Sequence, residues 1–201
     1  MKLFAAGIAY CLLGIVTADI DDDYKIERII PDVLDKAPIN YLQQISYNNK
    51  KVELGKELTP SEVKDAPLIE WNFDSSKFYT LILNDPDAPS RENPQMREFL
   101  HWAIVNIPGN DFAKGDTLAK YIGAGPPKDT GLHRYIFTVY QQPGKLTFEE
   151  KPMSDTSLDG RANFSLRKFA IKYNLNDPVS GNMFQAQYDD YVPLFYKNLG
   201  M

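Results

Sequence analysis

The stretch of sequence that decides the fold is FYTLILNDPDAPSR, residues 78–91. It opens with a run of aromatic, β-branched and other apolar residues, which is typical of a strand covered on both faces of a sheet. The run ends directly in a polar loop that holds Pro86 and Pro89, whose rings fix φ and stiffen the turn. The stretch therefore predicts a central strand with a rigid loop at its end.

Further strand-like segments recur along the chain between turn signals. Residues 102–105, WAIV, are apolar throughout and are predicted to be central as well. Short segments rich in β-branched and aromatic residues predict an antiparallel sandwich or barrel. Besides the strand at 78–83, the predicted strands are 42–47, 51–54, 68–73, 99–107 and 135–140.

Helix signals lie near the two ends of the chain. Ile26, Ile29 and Val33 follow a helical spacing that Pro31 interrupts, so we predict a short helix with a break or restart. Residues 162–173 carry one apolar stripe opposite basic residues, which predicts a helix packed on the sheets, the alternative being a partner-binding or membrane-facing surface. The acidic segment just before the first helix signal is predicted to be a solvated, mobile N-terminus.

Length and charge exclude several classes of protein. The chain has 201 residues, 43% of them hydrophobic and 24% charged, which is typical of one globular domain with its own core. Its 22 Lys and Arg residues are outnumbered by 27 Asp and Glu residues, which gives a net charge of −5. Because affinity for a phosphate backbone comes from clustered positive charge, we expect no nucleic-acid partner.

The first eighteen residues have the pattern of a secretory signal peptide. Lys2 precedes an uncharged apolar run, and small residues end the segment at Ala18, after which we predict cleavage. The run is shorter than the roughly 20 residues that span a bilayer, so we predict no transmembrane span, with an uncleaved anchor as the alternative. We therefore expect a secreted, extracellular monomer with one domain at residues 19–201.

Cys11 is the one cysteine and lies inside the signal, which would leave the mature domain without a disulfide or a thiol.

The residues that could carry chemistry are few and lie beside unusual loops. The sequence has two histidines, His101 and His133, each next to a strand-like segment. One neighbouring loop is residues 84–91, and the other is residues 123–131, GAGPPKDTG. Prolines stiffen both loops, and glycines leave backbone N–H groups free to approach a ligand closely. Two such loops at strand ends predict a preformed pocket.

Several blocks of this sequence resemble the phosphatidylethanolamine-binding protein family, in order and at family spacing. The blocks are DPDAPSR (85–91), Arg97-Glu98 followed by His101, GAGPP (123–127), GLHRY (131–135), PVSG (178–181), Gln185-Ala186 and DDYVP (189–193). Together they are far more specific than any one block. The resemblance implies a mainly β fold with peripheral helices, in which a large antiparallel sheet packs on a smaller sheet, and it implies a small anion pocket.

Carried over residue by residue, the resemblance implies a pocket built without Lys or Arg. Imidazole, phenol and backbone N–H groups can all donate to phosphate or carboxylate oxygens, so an anion bound with modest affinity is expected. Gly125 would supply a backbone donor, and Tyr196 would close the site. The implied ligand-binding residues are Asp85, His101, Gly125, His133, Tyr135 and Tyr196, and the implied wall consists of Pro86, Pro89, Pro126 and Pro127.

Each of these residues also has a purely structural interpretation. His101 lies among apolar residues and could be a core histidine, and Asp85 could cap a turn through its own backbone. Tyr135 and Tyr196 could be aromatic residues of the core. We hypothesise that the Asp85 carboxylate accepts a hydrogen bond from the His101 ring and so orients it.

The sequence departs from the family at two positions near the expected pocket. Leu100 stands where many members carry a histidine, which is expected to make the rim more apolar. Asp129 replaces the glycine usual after the Pro-Pro-Lys step and is expected to add negative charge near the mouth. Both changes favour a ligand other than phosphate.

Three classes of function remain. The first is a secreted carrier or sensor for phospholipid headgroups, phosphatidylethanolamine-like, or for related small anionic or hydrophobic ligands. The second is an extracellular protein-interaction module with a protein partner, such as a protease inhibitor. The third, a hydrolase, is the weakest, because the sequence has no Gly-x-Ser-x-Gly motif and no His-Glu-x-x-His metal signature. We expect a binding protein with no catalytic residue, no cofactor and no metal.

Residues 163–165, Asn-Phe-Ser, form a sequon for N-glycosylation. The sequon has meaning only if the signal peptide sends the chain along the secretory route. Asn163 lies at the start of the predicted helix, so we expect it to be exposed. A sequon that is present by chance is the alternative.

Overall fold

The structure is a computed structural model that describes residues 19–201. The predicted signal peptide and Cys11 lie outside the described residues, so cleavage after Ala18 and the single domain remain predictions. In chain order the elements are α1 (Ile20–Ile26), α2 (Ile29–Asp32), β1 (Asn40–Tyr41), β2 (Gln44–Tyr47), β3 (Lys50–Lys51), β4 (Leu68–Glu70), β5 (Phe78–Asp85), β6 (Phe99–Pro108), a 3-10 turn (Phe112–Lys114), β7 (Asp116–Ala119), β8 (His133–Gln141), α3 (Leu166–Lys172), β9 (Ser180–Ala186) and α4 (Val192–Asn198).

The strands form a large and a small sheet, which confirms the predicted fold class. Six strands form the large sheet in the order β1-β9-β8-β5-β6-β7, and three form the small sheet in the order β3-β2-β4. All neighbouring strands run antiparallel except β1 and β9, which run parallel. The large sheet is therefore mixed at one edge, where the resemblance implied a wholly antiparallel one.

The central strand β5 buries both of its faces, as its apolar run predicted. Successive side chains of a strand point to opposite faces, so β5 contributes to two cores. Leu81 and Leu83 pack in the core between the two sheets. Ile82 points the other way and packs with Ile136 and Leu166 beneath the helices. Because the same alternation applies to β6 and β8, it also decides which of their side chains can reach a common site.

Three strands of the large sheet were not predicted: the two-residue β1, and β7 and β9, which lack the sequence signal for strands. β7 and β9 contain few β-branched or aromatic residues, and each lies beside a long apolar strand. β9 pairs with β8 along its whole length, from His133 opposite Ala186 to Val139 opposite Ser180. Their extended conformation therefore comes from pairing rather than from local propensity.

The predicted strand at 51–54 is wrong in its extent. The chain turns at Asn48 and Asn49, which have φ of 45° and 70°, and the following strand ends at Lys51. Asparagine tolerates this left-handed backbone, and such two-residue turns are the usual connection of a hairpin. The turn, rather than the apolar content of the next residues, sets the length of the strand.

The N-terminal helix is broken as predicted, but the acidic residues 19–23 form its cap and first turn rather than a free terminus. Helices α1 and α2 are separated at Arg28, which has φ of 56°. Asp19 caps α1, because its side chain accepts a hydrogen bond from the backbone N–H of Asp21 at 3.2 Å. Three aspartates occupy the first turn, where negative charge is favourable. The prediction of a mobile N-terminus is therefore wrong for these residues.

Helix α3 confirms the predicted apolar stripe but begins later than predicted. Leu166, Phe169 and Tyr173 are buried beneath the helix, and Ser165 caps its N-terminus. The residues just before the cap pair with the chain at Glu98, since Phe164 and Glu98 exchange two backbone hydrogen bonds of 2.9 Å. Residues 161–163 form a turn in which Asn163 has a left-handed φ of 59°, so the helix does not begin at residue 162.

Candidate functional site

A cavity of about 180 Å³ opens at the end of the large sheet where β5 finishes and β6 and β8 begin. Antiparallel pairing brings these ends together, since Asp85 pairs with Phe99 and Asn84 pairs with Ile136. Helix α4 covers the cavity from the C-terminal end of the chain. All six residues predicted to bind a ligand line it: Asp85, His101, Gly125, His133, Tyr135 and Tyr196.

The predicted proline wall is only half right. Pro89 and Pro127 line the cavity, whereas Pro86 and Pro126 do not. In each loop one proline faces the cavity and the other is turned away from it. The remaining wall is apolar and was not predicted from the sequence; its residues are Ala88, Met96, Phe99, Leu158, Phe195 and Met201.

The alternation of side chains along β6 explains which of its residues reach the cavity. Phe99 and His101 share one face of the strand and line the cavity. Leu100 points to the opposite face and is buried beneath the helices with Ile82. The expectation that Leu100 makes the pocket rim more apolar is therefore wrong. Since side chains two apart in a strand share a face, the sequence could have predicted that Phe99 lines the pocket together with His101.

The two ring nitrogens of His133 contact Asp85 and Thr130. Its Nδ1–H donates to Oδ2 of Asp85 across 2.9 Å, and its Nε2 lies 3.0 Å from the hydroxyl oxygen of Thr130. The Thr130 hydroxyl donates in turn to the carbonyl of Pro127 at 2.7 Å. Both His133 and Asp85 are buried. The Asp85 carboxylate therefore orients His133, and the hypothesis that it accepts a hydrogen bond from His101 is wrong.

His101 is held by the backbone of the second loop instead. Its Nδ1 lies 3.2 Å from the carbonyl oxygen of Ile122 and 3.1 Å from that of Gly123. Carbonyl oxygens only accept hydrogen bonds, so Nδ1 carries the ring hydrogen. Burial lowers the pKa of His101 to about 4, against the opposing effect of the Asp85 charge. The ring is therefore neutral at physiological pH, and its Nε2 is an acceptor.

Gly125 joins the second loop to helix α4. Its carbonyl accepts a hydrogen bond of 2.8 Å from the hydroxyl of Tyr196. A Cβ at this position would overlap the ring of Phe195, so only glycine allows α4 to pack this closely. Burial raises the pKa of Tyr135 well above its usual value, and the negative charge of Asp85 raises it further. The Gly125 backbone has the opposite effect on this pKa. The backbone donor that was predicted at Gly125 for a ligand remains a prediction.

Two buried arginines hold the loops around the cavity. Arg134 makes a forked hydrogen bond to Asp87, at 2.8 and 2.6 Å, so Asp87 anchors the first loop while Asp85 faces the cavity. Arg161 has no carboxylate partner among residues 19–201 and donates to backbone carbonyls that include those of Leu100 and His101. Neither arginine lines the cavity. Sequence reasoning assigned neither role, because residues two apart in a strand share a face, and it is the loop after β5 that turns Asp87 away from Asp85.

The charges around the cavity differ from the expectation at one position. Asp129 lies outside the cavity, in a separate surface depression that also holds Arg28 and Arg91. Asp85 is the one Asp, Glu, Lys or Arg side chain in the lining formed by the described residues. The negative charge near the ligand therefore comes from Asp85 and not from Asp129.

Three further features bear on function. Asn163 is exposed, as expected, and has φ of 59°. Across residues 19–201 no group of three or more His, Cys, Asp or Glu side chains is arranged to hold a metal ion. Within the same residues no helix is long and apolar enough to cross a membrane.

Comparison with known proteins identifies relatives over nearly the whole chain. A family model described as phosphatidylethanolamine-binding protein matches residues 48–185. The chain is 43% identical over 206 residues to the putative odorant-binding protein A5 of Drosophila melanogaster, with 99% of this chain and 98% of that protein covered.

Solved structures share the fold as well. A protein named CG7054, solved in solution, is 47% identical, with a TM-score of 0.69 over 85% of this chain and 97% of that one. A carboxypeptidase Y inhibitor, crystallised with its cognate proteinase, is 25% identical, with a TM-score of 0.70 over 84% of this chain and 94% of that one. The same fold therefore occurs in a protein that binds a proteinase.

Proposed function

This chain belongs to the phosphatidylethanolamine-binding protein family, and we propose that it is a secreted, non-enzymatic binding protein. Its ligand, a phospholipid headgroup or a related small molecule, occupies the cavity beside His101 and His133. The observation that carries this proposal is the cavity itself, on which β5, β6, β8 and α4 all converge. A few polar groups on an otherwise apolar, concave surface are the usual composition of a small-molecule site.

The names of the relatives favour a binding role. A protein that shares 43% of its residues with this chain is named as a putative odorant-binding protein, which supports a small ligand. The sequence pattern at the N-terminus supports export, and the exposed Asn163 would then be open to glycosylation. N-terminal sequencing of protein secreted from a eukaryotic host tests export, since we expect it to begin at Asp19.

The hydrogen bonds around His133 favour binding rather than catalysis. Thr130, His133 and Asp85 follow one another in the order of a hydrolase triad, at 3.0 and 2.9 Å. In a working triad the hydroxyl passes its proton to the histidine. Here the Thr130 hydroxyl donates to the carbonyl of Pro127, so its oxygen is not activated as a nucleophile.

Ligand binding in the cavity is tested by filling it. Ala88 lines the cavity, and replacing it with leucine places extra carbon atoms in the space for the ligand. Ala113 is exposed on the 3-10 turn, so Ala113→Leu is the matched control. We expect the two-dimensional NMR spectrum of the wild type and of the control to shift on addition of O-phosphoethanolamine or 1-hexanol, and that of Ala88→Leu to remain unchanged.

Mass spectrometry of natively secreted protein gives an independent test. We expect a small molecule to be extracted from the wild type and from Ala113→Leu, and not from Ala88→Leu. Equal amounts of the same ligand from all three proteins would place the binding site elsewhere and contradict the proposal.

The second candidate function is that of an extracellular protein-interaction module, such as a protease inhibitor. The specific observation in its favour is the shared fold with an inhibitor that was crystallised with its proteinase. A saturable loss of carboxypeptidase activity that persists in the Ala88→Leu variant would favour this candidate. No loss of activity at high molar excess would exclude it for that class of protease.

A further inference from the structure

A second concave surface lies between β1, the edge strand of the large sheet, and β4, an edge strand of the small sheet. We propose that this surface is a binding site for a neutral carbohydrate. It is a depression of about 810 Å³, which lies within the range of about 300–1,000 Å³ that is usual for small-molecule sites. Five of its lining residues carry a side-chain amide, and we therefore call it the amide depression: Asn40, Gln43, Gln44, Asn72 and Asn110.

Strand pairing places the amide depression at the opposite end of the large sheet from the cavity. Ser180 lines the depression and pairs with Val139, near the end of β8. His133 lines the cavity and is the first residue of β8. The stretch of β8 between His133 and Val139 is roughly 20 Å long, at about 3.3 Å per residue. The two sites are therefore separate, and this inference does not depend on the proposed function.

The five amides have hydrogen-bonding capacity that the protein does not use. Within residues 19–201, the one hydrogen bond that their side chains make is a long one, 3.5 Å from Asn40 to the carbonyl of Val179. Each amide offers two N–H donors and an oxygen acceptor on the same group. A hydroxyl group also donates and accepts, so neighbouring hydroxyls of a sugar ring can use both ends of an amide. The lining therefore suits a ligand with many hydroxyl groups.

The charges of the amide depression exclude an anion as its preferred ligand. Its charged side chains are Asp19 and Glu70, and none of its lining residues in the described part of the chain is Lys or Arg. Strong sites for phosphate or carboxylate groups use the N–H donors of such cations. A carboxylate accepts hydrogen bonds, and a sugar hydroxyl can donate to it without bringing a like charge. The lining therefore favours a neutral sugar over a phosphorylated, sulfated or acidic one.

Aromatic residues supply the apolar part of the amide depression. Phe73 lines it and is 45% exposed, so part of its ring is open to a C–H face of a sugar by dispersion contact. Trp71 also lines it, and its buried indole N–H has no acceptor among residues 19–201. A buried donor without an acceptor is costly, and a ligand hydroxyl oxygen that reached this N–H would remove the cost. Both contacts suit a carbohydrate.

A protein partner suits the amide depression less well. The strongest contacts of protein interfaces come from large side chains that fill desolvated pockets on the other partner. The lining here consists mainly of amides, carboxylates and Ser180, and it offers no apolar pocket for such a side chain. We therefore expect a short oligosaccharide rather than a protein surface.

The test is a titration of the wild-type protein with five probes, followed by two-dimensional NMR. Maltotriose, cellotriose and triacetylchitotriose are the neutral probes, trigalacturonate is the anionic probe and spermidine is the cationic probe. We expect at least one neutral sugar to shift the indole resonance of Trp71 and the side-chain amide resonances of Gln44 and Asn72. The ring resonances of His101 and His133 report on the cavity and should not move. We expect a dissociation constant of about 1 mM, because each hydrogen bond to the ligand replaces one to water.

Matched substitutions assign the binding to the amides. Gln44→Ala and Asn72→Ala each remove one amide from the depression, and both residues are exposed, so the fold should tolerate the change. Gln95→Ala and Asn93→Ala remove the same groups from an exposed loop outside the depression and are the controls. We expect each of the first two variants to bind the sugar about threefold to tenfold more weakly than the wild type. The two controls should bind it as the wild type does.

Four results would overturn the inference and leave the proposed function untouched. The first is that no neutral probe shifts the resonances of Trp71, Gln44 or Asn72 at concentrations up to about 50 mM. The second is that trigalacturonate or spermidine binds the depression more tightly than every neutral sugar, which would mean that it selects a charge. The third is that a sugar shifts the two histidines instead. The fourth is that the Gln44 and Asn72 variants bind as tightly as their controls.

Discussion

His133 donates from Nδ1 to the carboxylate of Asp85 across 2.9 Å, although the two residues are 48 positions apart in the chain. The bond forms because β5 ends at Asp85 and β8 begins at His133, and the two strands are antiparallel neighbours. His101 is left to bond with backbone carbonyls. The two histidines therefore differ in their tasks, since His133 belongs to a fixed polar pair and His101 keeps one free nitrogen.

Replacing Asp85 with asparagine should affect the two histidines differently. We expect the ¹⁵N resonance of His133 Nδ1 to move, because its hydrogen-bond partner changes from a carboxylate to an amide. The pKa of His101 should fall below its value of about 4, since the negative charge of Asp85 raises it. Histidine NMR over a pH series measures both effects. Asp111→Asn, on the exposed surface, is the control and should change neither.

The stability of the fold should depend on pH through two buried groups with opposite effects. Burial raises the pKa of Glu98 to about 7. The contribution of Glu98 to the free energy of unfolding is therefore present below about pH 4.5 and is lost as the pH rises through 7. Burial lowers the pKa of His101 to about 4, so its contribution is present above pH 6.5 and lost as the pH falls through 4. Each shift corresponds to about 3 kcal/mol, and the two largely cancel between about pH 4.5 and 6.5.

Single variants should separate the pH dependence of stability that is due to Glu98 from that due to His101. In Glu98→Gln the free energy of unfolding should increase with pH between 4 and 6.5, relative to the wild type. In His101→Gln it should decrease between pH 4.5 and 7. Urea unfolding at four pH values measures the slopes, which matter more than the absolute stabilities. Profiles of both variants that run parallel to the wild type would contradict the assignment.

Replacing Gly125 with alanine should loosen helix α4. The new Cβ would overlap the ring of Phe195 and push the helix away from the carbonyl that accepts from Tyr196. Overpacking of this kind costs about 1–3 kcal/mol, which thermal unfolding can detect. Gly144→Ala is the matched control, since nothing lies within 4 Å of a Cβ there. An equal effect of the two substitutions would mean that the contact with Phe195 is not responsible.

Thr130 should not react as a nucleophile. Its hydroxyl hydrogen is bonded to the carbonyl of Pro127 at 2.7 Å, so His133 does not take it. We expect the intact mass of the protein to remain unchanged after incubation with a fluorophosphonate, while a serine hydrolase in the same tube is labelled. An adduct mapped to Thr130 would support the hydrolase class instead.

Protein expressed through the secretory route should carry a glycan at Asn163. The residue is exposed, so the acceptor nitrogen is accessible. Treatment with an N-glycosidase should lower the mass of the wild type and leave Asn163→Asp unchanged. Ser165→Ala is unsuitable for this purpose, because Ser165 also caps α3 and its loss would cost about 1 kcal/mol. Wild-type protein that does not change in mass would indicate a sequon present by chance.

Local patterns were sufficient for the elements that depend on local chemistry. The apolar run of β5 predicted a strand buried on both faces, and Pro31 predicted that the N-terminal helix is not continuous, although the break lies at Arg28. The motif blocks also identified five residues that the structure brings to one cavity, and the resemblance added Tyr196. β7 and β9 were missed, because their strands form by pairing with neighbours rather than through their own composition.

Assignments that depend on direction could not be made from motifs alone. Leu100 is adjacent to His101 in the chain but faces the opposite core, and Pro86 and Pro126 turn away from the cavity that their neighbours line. The period of two along a strand could have corrected the first of these. The orientation of a proline within a loop depends on where the loop is anchored, as by the bonds between Asp87 and Arg134.

The amino-acid sequence by itself determined the family, the mainly β fold and six of the residues around the cavity, because these depend on motifs and on patterns along the chain. The tertiary structure alone decided which group each side chain bonds. Asp85 bonds His133 rather than His101, and the free nitrogen of His101 is an acceptor. The physical reason is that a hydrogen bond needs two atoms within about 3 Å in the right direction. For residues far apart in the chain, the register of the strands sets that distance.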